Sequence, residues 1–139
     1  MTVDDIPTVF QIGSTEFDLQ KNIYHRTWNL VELSRHLNNE KDLAIIAELN
    51  GHVVGFALGH NRFSGWENDL GYLEWIAVSG EHQRKGVGTA LVDEIIVRFS
   101  NFSVKKILAD TKIEESRKLL ANFNFKKAFT VNWLIRDVS

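Results

Sequence analysis

Apolar and polar residues follow two different periods along this chain, and the changes of period mark its elements. Val9-Phe10-Gln11-Ile12-Gly13 is a short apolar run that reads as a first strand. Glu16 to His25 reads as a short helix carrying Phe17, Leu19, Ile23 and Tyr24. Asn29-Leu30-Val31-Glu32 has the form of a capping box, with an Asn cap and a Glu three residues later. Leu30, Leu33 and Leu37 then recur at helical spacing and predict a second helix over about residues 30–38. After that the period becomes that of strands. Leu43–Leu49 and Val53–Leu58 flank Asn50-Gly51, and both turn residues tolerate the positive φ of a type I′ turn, so a hairpin is predicted. Residues 61–69 read as a polar loop and Leu70 to Val78 as a further strand. From Gly86 the helical period returns: Val87, Leu91, Ile95 and Phe99 recur every fourth residue, while Asp93, Glu94 and Arg98 face away. Val104 to Asp110 is a predicted strand, and Thr111-Lys112-Ile113-Glu114 opens a helix that runs to about Asn122. Phe125–Phe129 and Asn132–Val138 read as two closing strands. The order β-α-α-β-β-β-α-β-α-β-β predicts an α/β (α+β) fold, in which an antiparallel meander and one helical crossover build a mixed sheet.

Composition narrows the class. At 139 residues the chain is expected to be one domain over residues 1–139, with ordinary globular content: 44% hydrophobic and 24% charged. Sixteen Lys and Arg against 18 Asp and Glu leave a net charge of −2, without the basic excess of a nucleic-acid binder, so no nucleic-acid partner is expected. The absence of cysteine excludes disulfides, thiolate metal sites and cysteine nucleophiles. The first residues lack the basic and apolar regions of a signal peptide, and no apolar run approaches membrane-spanning length. A cytoplasmic protein without a membrane partner is expected. His25, His36, His52, His60 and His82 show no i, i+4 pair, so they read as surface or structural residues and no metal is expected.

The stretch with chemical content runs from Leu73 to Leu91. A strand ends, the polar segment Ser79-Gly80-Glu81-His82-Gln83-Arg84-Lys85 follows, and Gly86-Val87-Gly88 opens the amphipathic helix. Unpaired N–H groups and the helix dipole make such a start an anion site, glycines leave the backbone uncovered, and Arg84 and Lys85 add positive charge. No Gly-Lys-Ser/Thr follows the glycines, so this is not a Walker A loop. A dinucleotide fingerprint needs a third small residue where Leu91 stands. The remaining pattern, Gln/Arg-x-x-Gly-x-Gly/Ala, is matched throughout by Gln83-Arg84-Lys85-Gly86-Val87-Gly88.

With a strand before it and a long helix, a strand and a helix after it, this segment resembles the GNAT superfamily of acyl-CoA-dependent N-acetyltransferases. The resemblance extends from the Asn50-Gly51 hairpin to the end of the chain, and more loosely over the N-terminal helices. It implies a mostly antiparallel, twisted mixed sheet flanked by helices, and acetyl-CoA as cosubstrate. It further implies that the pyrophosphate lies on the amides of Arg84, Lys85, Gly86, Val87, Gly88 and Thr89. The pantetheine would pair with Ile76, Ala77 and Val78 like an added strand. A backbone N–H near Val78 would stabilise the tetrahedral oxyanion. The acceptor would be a primary amine of a small molecule or peptide.

An alkylammonium must lose a proton before it attacks. Glu74 is the first candidate base, through a water, because strand alternation puts it on one face with Tyr72, Ile76 and Val78. The alternative for Glu74 is a charged residue near a strand edge or paired with Arg or Lys. Asp110, ending the next strand, is the second candidate, and its alternative is capping the following helix. One departure from the family pattern stands out. Its helix usually ends Leu-Tyr-x-x-x-Gly-Phe, where this chain has Leu119-Leu120-Ala121-Asn122-Phe123-Asn124-Phe125. Asn124 suits the glycine position, but Leu120 cannot protonate a thiolate as the family's tyrosine does. A catalytically weak acyl-CoA-binding sensor is therefore the second reading, and a nucleotide-binding regulatory module the third. Trp28 and Trp66 read as cleft lining or as packing and dimer contacts, which leaves a homodimer open. Tyr24 and Tyr72 read as packed aromatics or as replacement acids.

Overall fold

The computed structural model describes residues 1–18, 28–61, 69–110, 114–130, 132, 134 and 136–138. Its first element, helix α1 (Ile6–Asp18), overturns the strand expected at Val9–Gly13. A short apolar run cannot be assigned by periodicity alone. Over the longer window Ile6, Val9, Phe10, Gly13 and Phe17 recur at three- and four-residue steps, which is a helical stripe. Pro7 falls in the first turn, where its missing N–H is not needed. Val9 and Ile12 are consequently buried. The remainder of the helix expected over 16–25, including Leu19, Ile23 and Tyr24, lies outside the described residues.

Helix α2 (Leu30–Asn39) starts as expected, with Asn29 Oδ1 accepting from the Glu32 N–H at 2.9 Å. It buries Leu33 and His36, while Leu30 is half exposed. Strands β1 (Ala44–Leu49) and β2 (His52–His60) form the hairpin, and Asn50 and Gly51 take φ of 52° and 79°, as a type I′ turn requires. β3 (Leu70–Val78), α3 (Val87–Ser100), β4 (Lys106–Ala109) and α4 (Glu114–Ala121) follow. The sheet order is β1-β2-β3-β4, with the first two pairings antiparallel and the last parallel, so the sheet is mixed and mostly antiparallel as the sequence implied.

Helices cover both faces. Leu91, Val92, Ile95 and Phe99 of α3 pack with Leu43, Ile45, Ala57, Leu73 and Leu120 on one side. α1 and α2 cover the other with Val9, Ile12 and Leu33, against Phe56, Leu58, Trp75 and Ala77. Trp28 belongs to this second core: its ring lies 5.2–5.3 Å from those of Phe17, Phe56 and Trp75, and its Nε1 donates to the Phe10 carbonyl at 3.1 Å. Its role is packing. Trp66 lies outside the described residues, as do residues 62–68 of the expected loop. Among the described residues, no helix is long and apolar enough to cross a membrane.

The chain end also departs from expectation. Residues 125–130 form no strand, and Leu134 and Val138 of the last expected strand are exposed. A strand exists through the ladder it shares with a neighbour, and apolar composition supplies no partner. What the sequence does set here is the end of α4. Asn124 adopts φ 66°, the Phe125 N–H reaches the Leu120 carbonyl and the Asn124 N–H the Ala121 carbonyl, which together form a Schellman cap. Leu120 is 4% exposed and is a core residue.

The second core gives a direct stability test. A Cβ at Gly13 would lie 2.3 Å from the Trp28 ring. Gly13→Ala should therefore destabilise the protein by about 1–3 kcal/mol, the usual scale of overpacking, despite alanine's better helix propensity. A urea midpoint equal to or above wild type would contradict this packing.

Candidate active site

β3 carries the site because two irregularities coincide in it. The β2–β3 register slips between Leu58 and Gly59: Leu58 pairs with Trp75 and Gly59 with Leu73, so Glu74 is the extra residue of β3 in that register. This is a β-bulge, which re-aims side chains and breaks the two-residue period. Leu73, Ile76 and Val78 all pack toward α3, whereas Trp75 and Ala77 pack toward α1. Glu74 reaches His36 on α2. The expectation that Tyr72, Glu74, Ile76 and Val78 share one face is thereby corrected. An unbroken period would have kept Leu73 on the side of Trp75.

The second irregularity is on the other edge. The β3–β4 ladder runs from Leu70↔Lys106 to Leu73↔Ala109 and stops. Beyond it, residues 75–78 keep β2 on one side and lie past the end of the β4 ladder on the other. The Ser79 N–H donates to the Val54 carbonyl of β2 at 2.9 Å. Because backbone groups alternate between the two edges of a strand, Ala77 points its N–H and C=O at β2, while Ile76 and Val78 point theirs into the gap. Of the three residues expected to hold an extended ligand, Ile76 and Val78 thus present hydrogen-bonding groups and Ala77 does not. The Val78 carbonyl accepts from Gln83 Nε2 at 2.9 Å, and the same amide donates to Glu16 Oε2 at 2.9 Å. Gln83 ties the strand end to α1, a role the motif alone did not show.

The loop at the end of β3 continues through a 3-10 turn, Gly80–His82, pinned by Ser79 Oγ and His82 Nδ1 at 2.8 Å. Arg84 and Gly86 both take the left-handed conformation, with φ of 62° and 86°. Gly86 is the N-cap of α3, and the first helical bond runs from the Ala90 N–H to the Gly86 carbonyl at 3.0 Å. The N–H groups of Val87, Gly88 and Thr89 precede that bond and have no helical acceptor. A Cβ on Gly86 would meet nothing within 4 Å, so the space above the helix start is open. A Cβ on Gly88 would lie 3.1 Å from Leu119 Cδ2. The two glycines have different work: Gly86 bares the backbone, and Gly88 admits α4. Arg84 Nη2 pairs with Glu115 Oε1 at 3.0 Å on the surface, and Lys85 is exposed.

At the bulge, Glu74 Oε2 meets His36 Nε2 at 3.0 Å and His60 Nε2 at 2.5 Å. The Glu74 side chain is 8% exposed, that of His36 0% and that of His60 26%. The two imidazoles lie 4.3 Å apart, His60 stacks on Tyr72, and His60 Nδ1 is 4.0 Å from Glu40 Oε1. Spacing along the chain could not reveal this group, since its histidines stand 38 and 14 residues from Glu74 on two other elements. The donor atoms lie within 4.8 Å of one another, a separation that a cation could span. However, a metal-bound imidazole normally donates its other N–H to an acceptor, and His36 Nδ1 is buried without a hydrogen-bond partner. The contacts are those of a carboxylate held by two imidazoles. Asp110 stands exposed, one residue beyond the last β3–β4 pair, and is not part of this cluster. Tyr24 lies outside the described residues, and Tyr72 is buried.

β3 thus combines an edge that β4 leaves uncovered beyond Leu73, a helix start at Gly86 with open space above it, and a buried carboxylate. The acetyltransferase (GNAT) family model matches residues 9–125, and the chain belongs to that family. An acetyltransferase from Pectobacterium atrosepticum is 29% identical over 72 residues, which is 50% of this chain and 48% of that protein. The chain thus spans about half the length of the curated relatives it matches. Among solved structures, a ribosomal-protein-alanine N-acetyltransferase from Brucella melitensis has a TM-score of 0.76 at 22% identity, covering 93% of this chain and 83% of the other. An aminoglycoside N-acetyltransferase in complex with CoA has a TM-score of 0.75 at 18% identity, covering 99% and 92%. These likenesses show a shared fold.

The two glycines should separate by experiment. Gly88→Val should lower stability by about 1–3 kcal/mol through its contact with Leu119. Gly86→Ala should cost about 1–2 kcal/mol through its backbone angle alone. Relief of the Gly88→Val defect by Leu119→Ala, with no relief of Gly86→Ala, is the expected result of a double-mutant cycle in urea.

Proposed function

We propose that this protein transfers an acetyl group from acetyl-CoA to a primary amine of a small molecule or peptide. The observation that carries the reading is the gap in which β3 leaves β4 after Leu73, with the Gly86 helix start at its far end. The residues fit the cosubstrate. The open space at Gly86, the N–H groups of Val87, Gly88 and Thr89, and the charges of Arg84 and Lys85 suit a pyrophosphate. Ile76 and Val78 offer the exposed edge that a pantetheine amide chain could join. Bound there, acetyl-CoA supplies an activated acyl thioester.

The chain's own groups have separate tasks. The Val78 N–H, aimed into the gap, is placed to donate to an oxyanion. Glu74 is the carboxylate on which acceptor deprotonation depends, because it stands where the strands part and is held by two imidazoles. Asp110 is the second carboxylate at that point and has no comparable set of partners. In balance, the ammonium loses a proton, a C–N bond forms, the C–S bond breaks, and the thiolate departs as CoA takes up a proton. Burial of Leu120 removes the family's usual acid from this position, which favours a slow enzyme or a sensor as the second reading. Release of CoA thiol with amines separates the two. Both kinds of acceptor have support: one similar fold belongs to an aminoglycoside N-acetyltransferase and another to a ribosomal-protein-alanine N-acetyltransferase.

Two outcomes are expected. CoA at a hundredfold excess over its Kd should stabilise the wild type by roughly 2.7 kcal/mol, and Gly86→Val should abolish the shift while remaining folded. A wild type that CoA leaves unshifted would exclude the cosubstrate. Glu74→Gln should slow acetyl transfer by roughly 10²–10³-fold at neutral pH with CoA affinity retained, and a wild-type rate where chemistry limits turnover would remove Glu74 from the reaction.

A further inference from the structure

We infer that His60 is the group that takes the acceptor's proton, with Glu74 and His36 fixing it in place; the inference rests on the acetyl-transfer reading above. Its starting point is the contact between His60 Nε2 and Glu74 Oε2 at 2.5 Å. Two lone pairs at that separation would repel, so one proton occupies the contact. Glu74 Oε2 also faces His36 Nε2 at 3.0 Å, and an ionised carboxylate accepts both bonds without donating.

His36 decides the protonation pattern. Its ring is wholly buried and its Nδ1 has no hydrogen-bond partner. A proton on Nδ1 would be a stranded buried donor, so His36 is held as the Nε2–H tautomer that donates to Glu74. Glu74 Oε2 thereby accepts from two imidazole donors, so the contacts of that oxygen are already taken up by the histidines. His60 differs. With Nε2–H given to Glu74, its basic lone pair is on Nδ1, on the side chain that is 26% exposed.

Two carboxylates stand near that imidazole. Glu74 on β3 contacts it directly, and Glu40 at the end of α2 lies 4.0 Å from Nδ1, a gap that suits one bridging water. The rings of Tyr72 on β3 and His36 on α2 flank its faces. A carboxylate that orients an imidazole and stabilises the imidazolium is the arrangement of hydrolytic triads, with the acceptor amine here in the nucleophile's place. The proton leaves R–NH3⁺ for His60 Nδ1, directly or through a water, and passes from there to solvent. The freed amine electron pair forms the C–N bond.

The test has one readout that needs no substrate. In ¹⁵N-labelled protein without ligand, the ring-nitrogen spectrum of His60 should show the Nε2–H tautomer; an Nδ1–H tautomer would overturn the inference even if the protein proves to be an active acetyltransferase. The second readout uses the amine sisomicin and an alanine-terminated peptide as probes with acetyl-CoA. His60→Asn can still donate to Glu74, and His60→Gln controls for fold. Both should lose at least about 10²-fold in kcat/KM below neutral pH, flatten the rise with pH seen in wild type, and keep the CoA-induced thermal shift. Unchanged profiles in both variants, alongside a defective Glu74→Gln, would return the base to Glu74. If wild type acetylates neither probe, the tautomer still decides the role of His60, and the CoA shift separately decides the reading on which it rests.

Discussion

Glu74 is the extra residue of β3 in its register with β2, and much of the site follows from accommodating it. A bulge increases local twist and exchanges the faces on which successive side chains lie. Up to Leu73 the strand is held on both edges; there β4 ends, and the ladder with it. The same few residues therefore open a backbone edge and swing a carboxylate toward α2. Without the extra residue Glu74 would point toward α3, into a core of Leu91, Ile95 and Phe99, where an ionised side chain has no partner.

The two sides of the opened strand are chemically distinct. Toward the gap lie the backbone groups of Ile76 and Val78 and, at the end, the helix start at Gly86. These are fixed dipoles that require no side chain. Toward α2 lie Glu74, His36 and His60, which are titratable and held by packing. Fixed donors suit a ligand of constant chemistry, and titratable groups suit a proton that must move. Gln83 joins the halves, because its amide binds both the Val78 carbonyl and Glu16 of α1.

The clearest features of the sequence were those whose cause is local. The hairpin followed from two residues that accept positive φ, α2 from its Asn cap, and α3 from a four-residue apolar repeat. The anion loop was visible because its glycines and basic residues are contiguous. Asn124 was legible as a helix cap for the same reason. Misreadings arose where the cause lay farther away. Val9–Gly13 has the composition of a strand, and only the longer stripe with Ile6 and Phe17 and the absence of a ladder partner make it helical. Phe125–Phe129 has strand composition too, yet it forms no strand among the described residues.

By itself, then, the sequence determined the local conformations, the order of most elements and the glycine-opened start of α3, since each depends on residues within a few turns of one another. The tertiary structure alone decided where the site's charge resides. Strand alternation singled out Glu74 but grouped it with Ile76 and Val78, which pack on the opposite side, because a bulge is a property of the pair of strands and not of either one. His36 and His60 carry no motif, and they became partners of Glu74 only when α2 packed over the end of β2. Residues brought together by packing leave no spacing in the chain, since their contact is set by the positions of whole elements rather than by the backbone between them.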